Sequence, residues 1–117
     1  MSAFQKKFTF EQRLHESQRI KERYPDRIPV IVEKDHKEKS LPDIKRHKFL
    51  CPSSTTVGQL QAIIRQRLPN ISADKSIYVF VNNKIPSMSA LLLNVYDEHM
   101  AKDGFLYVVY MGESVFG

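Results

Sequence analysis

The segment Arg27-Ile28-Pro29-Val30-Ile31-Val32-Glu33 restricts the fold more than any other. Its β-branched residues favour a strand. Side chains alternate across a strand, so Ile28, Val30 and Val32 share one face and Pro29 and Ile31 the other. Both faces are apolar, so both require a cover. One cover precedes the strand. Thr9-Phe10-Glu11-Gln12 has the form of a capping box. The helix it opens runs to about Tyr24 and is stopped by Pro25. At ~100° per residue, Phe10, Leu14, Ile20 and Tyr24 fall within an arc of about 120°. This helix is expected on the Pro29/Ile31 side. Ile20 lies at the margin of the stripe, with Glu16 one turn earlier on the polar side. Such a residue can line a groove as easily as a core. The residues before Thr9 give little sign of a helix of their own.

The remaining elements follow by the same signals. The polar, charged segment from Lys34 to Arg46, which contains Pro42, reads as a connector. Lys48-Phe49-Leu50-Cys51-Pro52 reads as a short strand, able to pair with the first as a hairpin. Proline cannot donate to a ladder, so Pro52 marks an edge strand. An edge offers unpaired main-chain groups to an extended peptide. Thr56-Val57-Gly58-Gln59 repeats the capping box. The helix after it carries Val57, Leu60, Ile64 and Leu68 and ends at Pro69. Ile77-Tyr78-Val79-Phe80-Val81 is a strand followed by the turn pair Asn82-Asn83. Ser89 to His99 is a short helix packing through Leu92, Val95 and Tyr96. Phe105 to Tyr110 is the last strand.

Composition narrows the function classes. Residues 1–50 hold 13 Lys+Arg against 8 Asp+Glu, and residues 51–117 hold 5 against 5, so the first half owns the whole net charge of +5. That bias favours acidic partners. No apolar run approaches the ~20 residues of a membrane helix, and the N-terminus lacks the apolar stretch of a signal peptide. A lone cysteine, Cys51, excludes an internal disulfide and fits a reducing compartment; a cytoplasmic monomer is expected. Cys51 with His47 as a base lacks a third orienting group, and a strand cysteine is usually a small buried hydrophobe. His15, His36, His47 and His99 show no metal-ligand spacing. No glycine-rich phosphate loop occurs. Tyr78, Phe80, Tyr107 and Tyr110 read as packing on sheet faces, so no nucleic-acid partner is expected. Neither a catalytic residue nor a cofactor is expected.

The chain closes on Gly112-Glu113-Ser114-Val115-Phe116-Gly117. Glycine lacks Cβ, so an extended terminal glycine carboxylate can thread a narrow enzyme channel. The order of elements, an N-terminal helix followed by strand-strand-helix-strand-helix-strand and a glycine-ended tail, is that of a ubiquitin-like α+β β-grasp with a helical extension. Several blocks carry a closer likeness: Tyr24 to Lys34, Lys48 to Pro52, Thr56 to Gln59, Phe80 to Asn83, Asp103 to Tyr107, and Phe116-Gly117. In these the chain resembles the ubiquitin-like autophagy modifiers, the GABARAP and microtubule-associated light-chain family, over essentially its whole length.

The resemblance implies a helical extension over 1–26, a four-stranded mixed-sheet β-grasp domain over 27–111, and a tail over 112–117. It also implies a protein tag. A processing cysteine protease exposes Gly117, with Phe116 part of what it reads. Activating and conjugating enzymes then pass Gly117 to phosphatidylethanolamine on the autophagosome membrane. A second implied activity is docking of cargo receptors and adaptors through aromatic-x-x-aliphatic motifs, by strand addition at the sheet edge. The implied aromatic pocket is Glu16, Ile20, Pro29, Ile31, Lys48, Leu50 and Phe105. The implied aliphatic pocket is Phe49, Cys51, Pro52, Leu60 and Ile63. Main-chain groups of Lys48 and Leu50 would pair with the peptide, and Lys45, Arg46 and Lys48 would meet acidic residues beside the motif. Three departures, Cys51, Thr55 and Leu60, make the aliphatic pocket smaller or more polar than is usual in the family. An alternative from another class is an unconjugated β-grasp domain that binds microtubules or another acidic surface through its basic first half.

Overall fold

The computed structural model of the protein describes residues 1–113. Eight elements follow one another: α1 (Ala3–Lys7), α2 (Phe10–Arg23), β1 (Arg27–Lys34), β2 (Lys48–Pro52), α3 (Val57–Arg67), β3 (Tyr78–Phe80), α4 (Leu92–His99) and β4 (Leu106–Met111). The sheet order is β2-β1-β4-β3, with β1 and β4 parallel and the outer pairs antiparallel. This mixed four-stranded sheet with packed helices is the expected ubiquitin-like α+β fold. No described helix is long and apolar enough to cross a membrane.

The doubly apolar β1 sits inside the sheet, as its composition demands. Ile28, Val30 and Val32 join the main core, which α3 closes with Val57, Leu60 and Ile64 and α4 with Leu92, Val95 and Tyr96. Ile31 faces the other side and forms a smaller cluster with Ile20 of α2 and Phe105. The first long helix therefore covers the Pro29/Ile31 side, as expected. Both expected capping boxes are made: Thr9 with Gln12, and Thr56 with Gln59. Asn82 and Asn83 both adopt positive φ, as the turn after β3 requires.

One open point is decided and two expectations need correction. Residues before Thr9 do form a helix, α1, opened by a third capping box between Ser2 and Gln5. The α2 stripe is not centred where periodicity placed it. Phe10 and Tyr24 are exposed, and the buried positions are Ser17 and Ile20. Ser17 is buried because its Oγ donates to the Leu14 and Asp103 carbonyls at 3.0 and 2.5 Å. The segment 34–46 is more than a solvated connector, since it buries Glu38, Leu41 and Ile44.

Candidate docking site

β2 is the border strand on one side of the sheet, as Pro52 implied. The Val32 N–H donates to the His47 carbonyl at 2.7 Å, which sets the alternation of the ladder. Val30 and Ile28 then bond their partners Phe49 and Cys51, and the main-chain groups of Lys48 and Leu50 turn outward. The outward Leu50 carbonyl accepts a long contact, 3.3 Å, from Arg27 Nη1. Among the described residues, an added strand has that contact to displace at Leu50.

The residues expected in the aromatic pocket are brought together, but at two depths. Ile20, Ile31 and Phe105 form a closed cluster, each at most 1% exposed, and none of them lines the cavity nearby. Pro29 is buried beside them on β1, opposite Leu50, and Leu50 packs against the cluster. Glu16 and Lys48 stand above, at the rim of a cavity of about 280 Å³ that Phe4, Phe8, Gln12 and Arg13 also line. Sequence reasoning missed the last four. The signal that could have found Phe4 is the Ser2-x-x-Gln5 spacing, the same pattern read at Thr9. Phe4 packs edge-on against Phe105, with ring centroids 5.3 Å apart, so α1 covers part of the buried cluster.

The rim is tied by charge. The Glu16 carboxylate accepts from Lys48 Nζ on one oxygen and from Arg19 Nε at 2.9 Å on the other. The Arg19 and Lys48 hydrogen bonds together lower the Glu16 pKa to about 2. Behind the rim, α2 is anchored by a buried acid. Asp103 accepts from Arg13 Nη1 at 2.6 Å, from the Tyr107 hydroxyl at 2.5 Å and from the Phe105 N–H at 3.0 Å. Gly104 must turn with φ +86° there, and a Cβ on it would lie 2.4 Å from Ser17 Oγ. Only glycine permits the two segments to approach that closely.

The residues expected in the aliphatic pocket lie next along β2. Cys51 and Leu60 are deep in the main core, Phe49 is at its margin, Ile63 packs against it, and Pro52 is exposed. Burial pushes the Cys51 thiol up to about 11, so the thiolate a nucleophile needs is scarce at neutral pH. The three cations expected beside an acidic motif are not gathered at one place. Lys48 is at the aromatic rim, whereas Lys45 and Arg46 line a separate cavity of about 220 Å³ with Ile44 and Arg67. Arg67, which sequence reasoning missed, stacks over the Phe49 ring at 5.6 Å. Phe116 and Gly117 lie outside the described residues.

Comparison with known proteins agrees with this geometry. The family profile described as "Autophagy protein Atg8 ubiquitin like" matches residues 12–117. The chain is 47% identical over 116 residues to Autophagy-related protein 8 of Schizosaccharomyces pombe, covering 99% of this chain and 94% of that protein. Identity to Autophagy-related protein 8a of Arabidopsis thaliana is also 47% over 116 residues, covering 99% and 93%. The crystal structure of Trypanosoma brucei ATG8 superposes with a TM-score of 0.89 at 35% identity, over 97% of this chain and 96% of that one. The chain thus belongs to the Atg8 family of ubiquitin-like autophagy proteins, which act as modifiers and adaptors and not as enzymes.

Proposed function

We propose that this protein is a tag joined through Gly117 to phosphatidylethanolamine, and that its β2 border recruits receptors bearing aromatic-x-x-aliphatic motifs. The observation that carries the docking half is an outward-facing edge at Lys48 and Leu50 beside the Ile20, Ile31 and Phe105 cluster. A peptide strand gains main-chain hydrogen bonds from that edge, and its alternate side chains reach the cavity and the Phe49 margin. Lys48, Lys45 and Arg46 attract acidic flanks from two separate positions along the edge.

Membership of the family supports the conjugation half, with Gly117 as the residue joined. The chemistry belongs to partner enzymes. An activating enzyme joins the Gly117 carboxylate to the adenylyl group of ATP, releasing pyrophosphate. Its thiolate displaces AMP to form a thioester, which exchanges onto the thiol of a conjugating enzyme. The lipid amine attacks the thioester carbonyl, forming an amide and freeing the thiol. Two acyl chains then hold a cytoplasmic domain on the autophagosome membrane. A processing cysteine protease that reads Phe116 supplies the free Gly117 wherever residues follow it.

The test is reconstitution with activating and conjugating enzymes, ATP and phosphatidylethanolamine liposomes. A lipid adduct should form and disappear in Gly117→Ala; active enzymes without an adduct would defeat conjugation. For docking, an acidic Trp-x-x-Leu peptide should bind at about micromolar strength and lose ~1 kcal/mol in Lys48→Ala. Salt-sensitive pelleting with microtubules, retained without Gly117, would instead favour an unconjugated acidic-surface binder.

A further inference from the structure

A buried carboxylate stands at the root of the tail, where docking makes no use of it. Glu38 is 2% exposed, in the polar segment between β1 and β2. Its Oε2 accepts from Ser40 N–H and Ser40 Oγ–H, both at 2.8 Å, and from Leu41 N–H at 2.9 Å. The second oxygen reaches out of the loop: Oε1 accepts from the Gly112 N–H at 2.5 Å, 74 residues further on and directly after β4. Gly112 is itself buried, and a Cβ on it would stand 3.1 Å from Oε1 and 3.4 Å from Leu41 Cδ1. Burial alone would raise the Glu38 pKa. The hydrogen bonds, led by Gly112 N–H, outweigh it and hold the group below the ordinary carboxylate range, so it is ionised at neutral pH.

We propose that Glu38 is a positioning residue for conjugation: its carboxylate pins the Gly112 amide and fixes the point from which the chain continues to Gly117. The role rests on the conjugation reading above. Five residues reach at most ~17 Å from a fixed root. Pinning the root confines the Gly117 carboxyl to a small volume beside the body that the enzymes grip. Freeing the root spreads it over a larger volume and lowers its effective concentration at the attacking group. Body docking is untouched, so the loss falls on kcat and not on KM.

The test compares the wild type with Glu38→Gln, Gly112→Ala and Ser40→Ala, using the full chain. The readouts are thioester formation on the activating enzyme against protein concentration, and hydrogen exchange at the Gly112 amide. Glu38→Gln and Gly112→Ala should each lower kcat about fivefold with KM unchanged, and the amide of residue 112 should lose its protection. Ser40→Ala removes a loop bond to Oε2 and keeps the Oε1 contact, so it should match the wild type. Affinity for the acidic Trp-x-x-Leu peptide should be equal in all four, which shows that the docking edge is folded. A wild-type thioester with undiminished kcat in both tail-root variants would overturn the proposal alone. An unprotected Gly112 amide in the wild type would also overturn it. If the wild type forms no thioester on active enzymes, the conjugation reading fails and the positioning role falls with it.

Discussion

The two faces of the sheet are held by different physics. Among the described residues, the inner face gathers twenty buried apolar residues in one continuous core between the sheet, α3 and α4. The apolar cluster on the outer face has three, Ile20, Ile31 and Phe105, and the helices there are also fastened by the polar contacts of Asp103 and Glu16. Apolar burial is diffuse and survives small losses, whereas a hydrogen-bonded anchor fails as a unit. Local opening is expected where buried apolar contacts are few. The face proposed for docking is therefore the one whose cover can be released without unfolding the body.

This contrast can be broken first at its strong side. Ile64 is fully buried in the main core. Ile64→Ala should cost about 4 kcal/mol and lower the unfolding midpoint in denaturant for the whole domain. Next comes the anchor on the other face. Asp103→Ala leaves Arg13, the Tyr107 hydroxyl and the Phe105 N–H without their acceptor. It should cost about 3 kcal/mol. Hydrogen exchange should then quicken in α1 and α2 before it quickens in α3. Equal acceleration in all four helices would erase the distinction between the faces.

Smaller effects sharpen the comparison at the rim. Glu16→Gln removes the carboxylate that Lys48 and Arg19 share. Stability should change by less than about 1 kcal/mol, because Lys48 and Arg19 are largely exposed. Affinity for an acidic Trp-x-x-Leu peptide should rise about two- to threefold in titration calorimetry, as Lys48 is freed to meet the peptide. The smallest effect is the pH dependence of the same group. Glu16 has a folded pKa of about 2, against an ordinary glutamate value of 4.5. Its stabilising contribution is thus complete above about pH 4.5 and is lost as the pH falls toward 2. The difference in stability between the wild type and Glu16→Gln should shrink over that window.

Local order was open to reading wherever neighbours in the chain determine it. Two capping boxes, the Asn82-Asn83 turn, the apolar alternation of β1 and the edge signal at Pro52 each depend on residues a few positions apart. α1 carried the same capping signal at Ser2 and Gln5, but a helix of five residues has too few turns for periodicity to reveal. The pocket residues came from family likeness, and burial then sorted them. Ile20, Ile31 and Phe105 became a closed cluster, while Glu16 and Lys48 came to line the cavity beside it.

By itself the sequence determined the elements, their order, and the need to cover β1 on both faces, because 3.6- and 2-residue periods are local quantities. Tertiary structure alone decided that Ser17 rather than Phe10 faces inward, because the Asp103 carbonyl and the Gly104 turn lie 86 and 87 residues further along the chain. It likewise decided that Glu38 is buried, because an ionised carboxylate tolerates burial only when donors converge on it, and one of those donors comes from the opposite end of the chain.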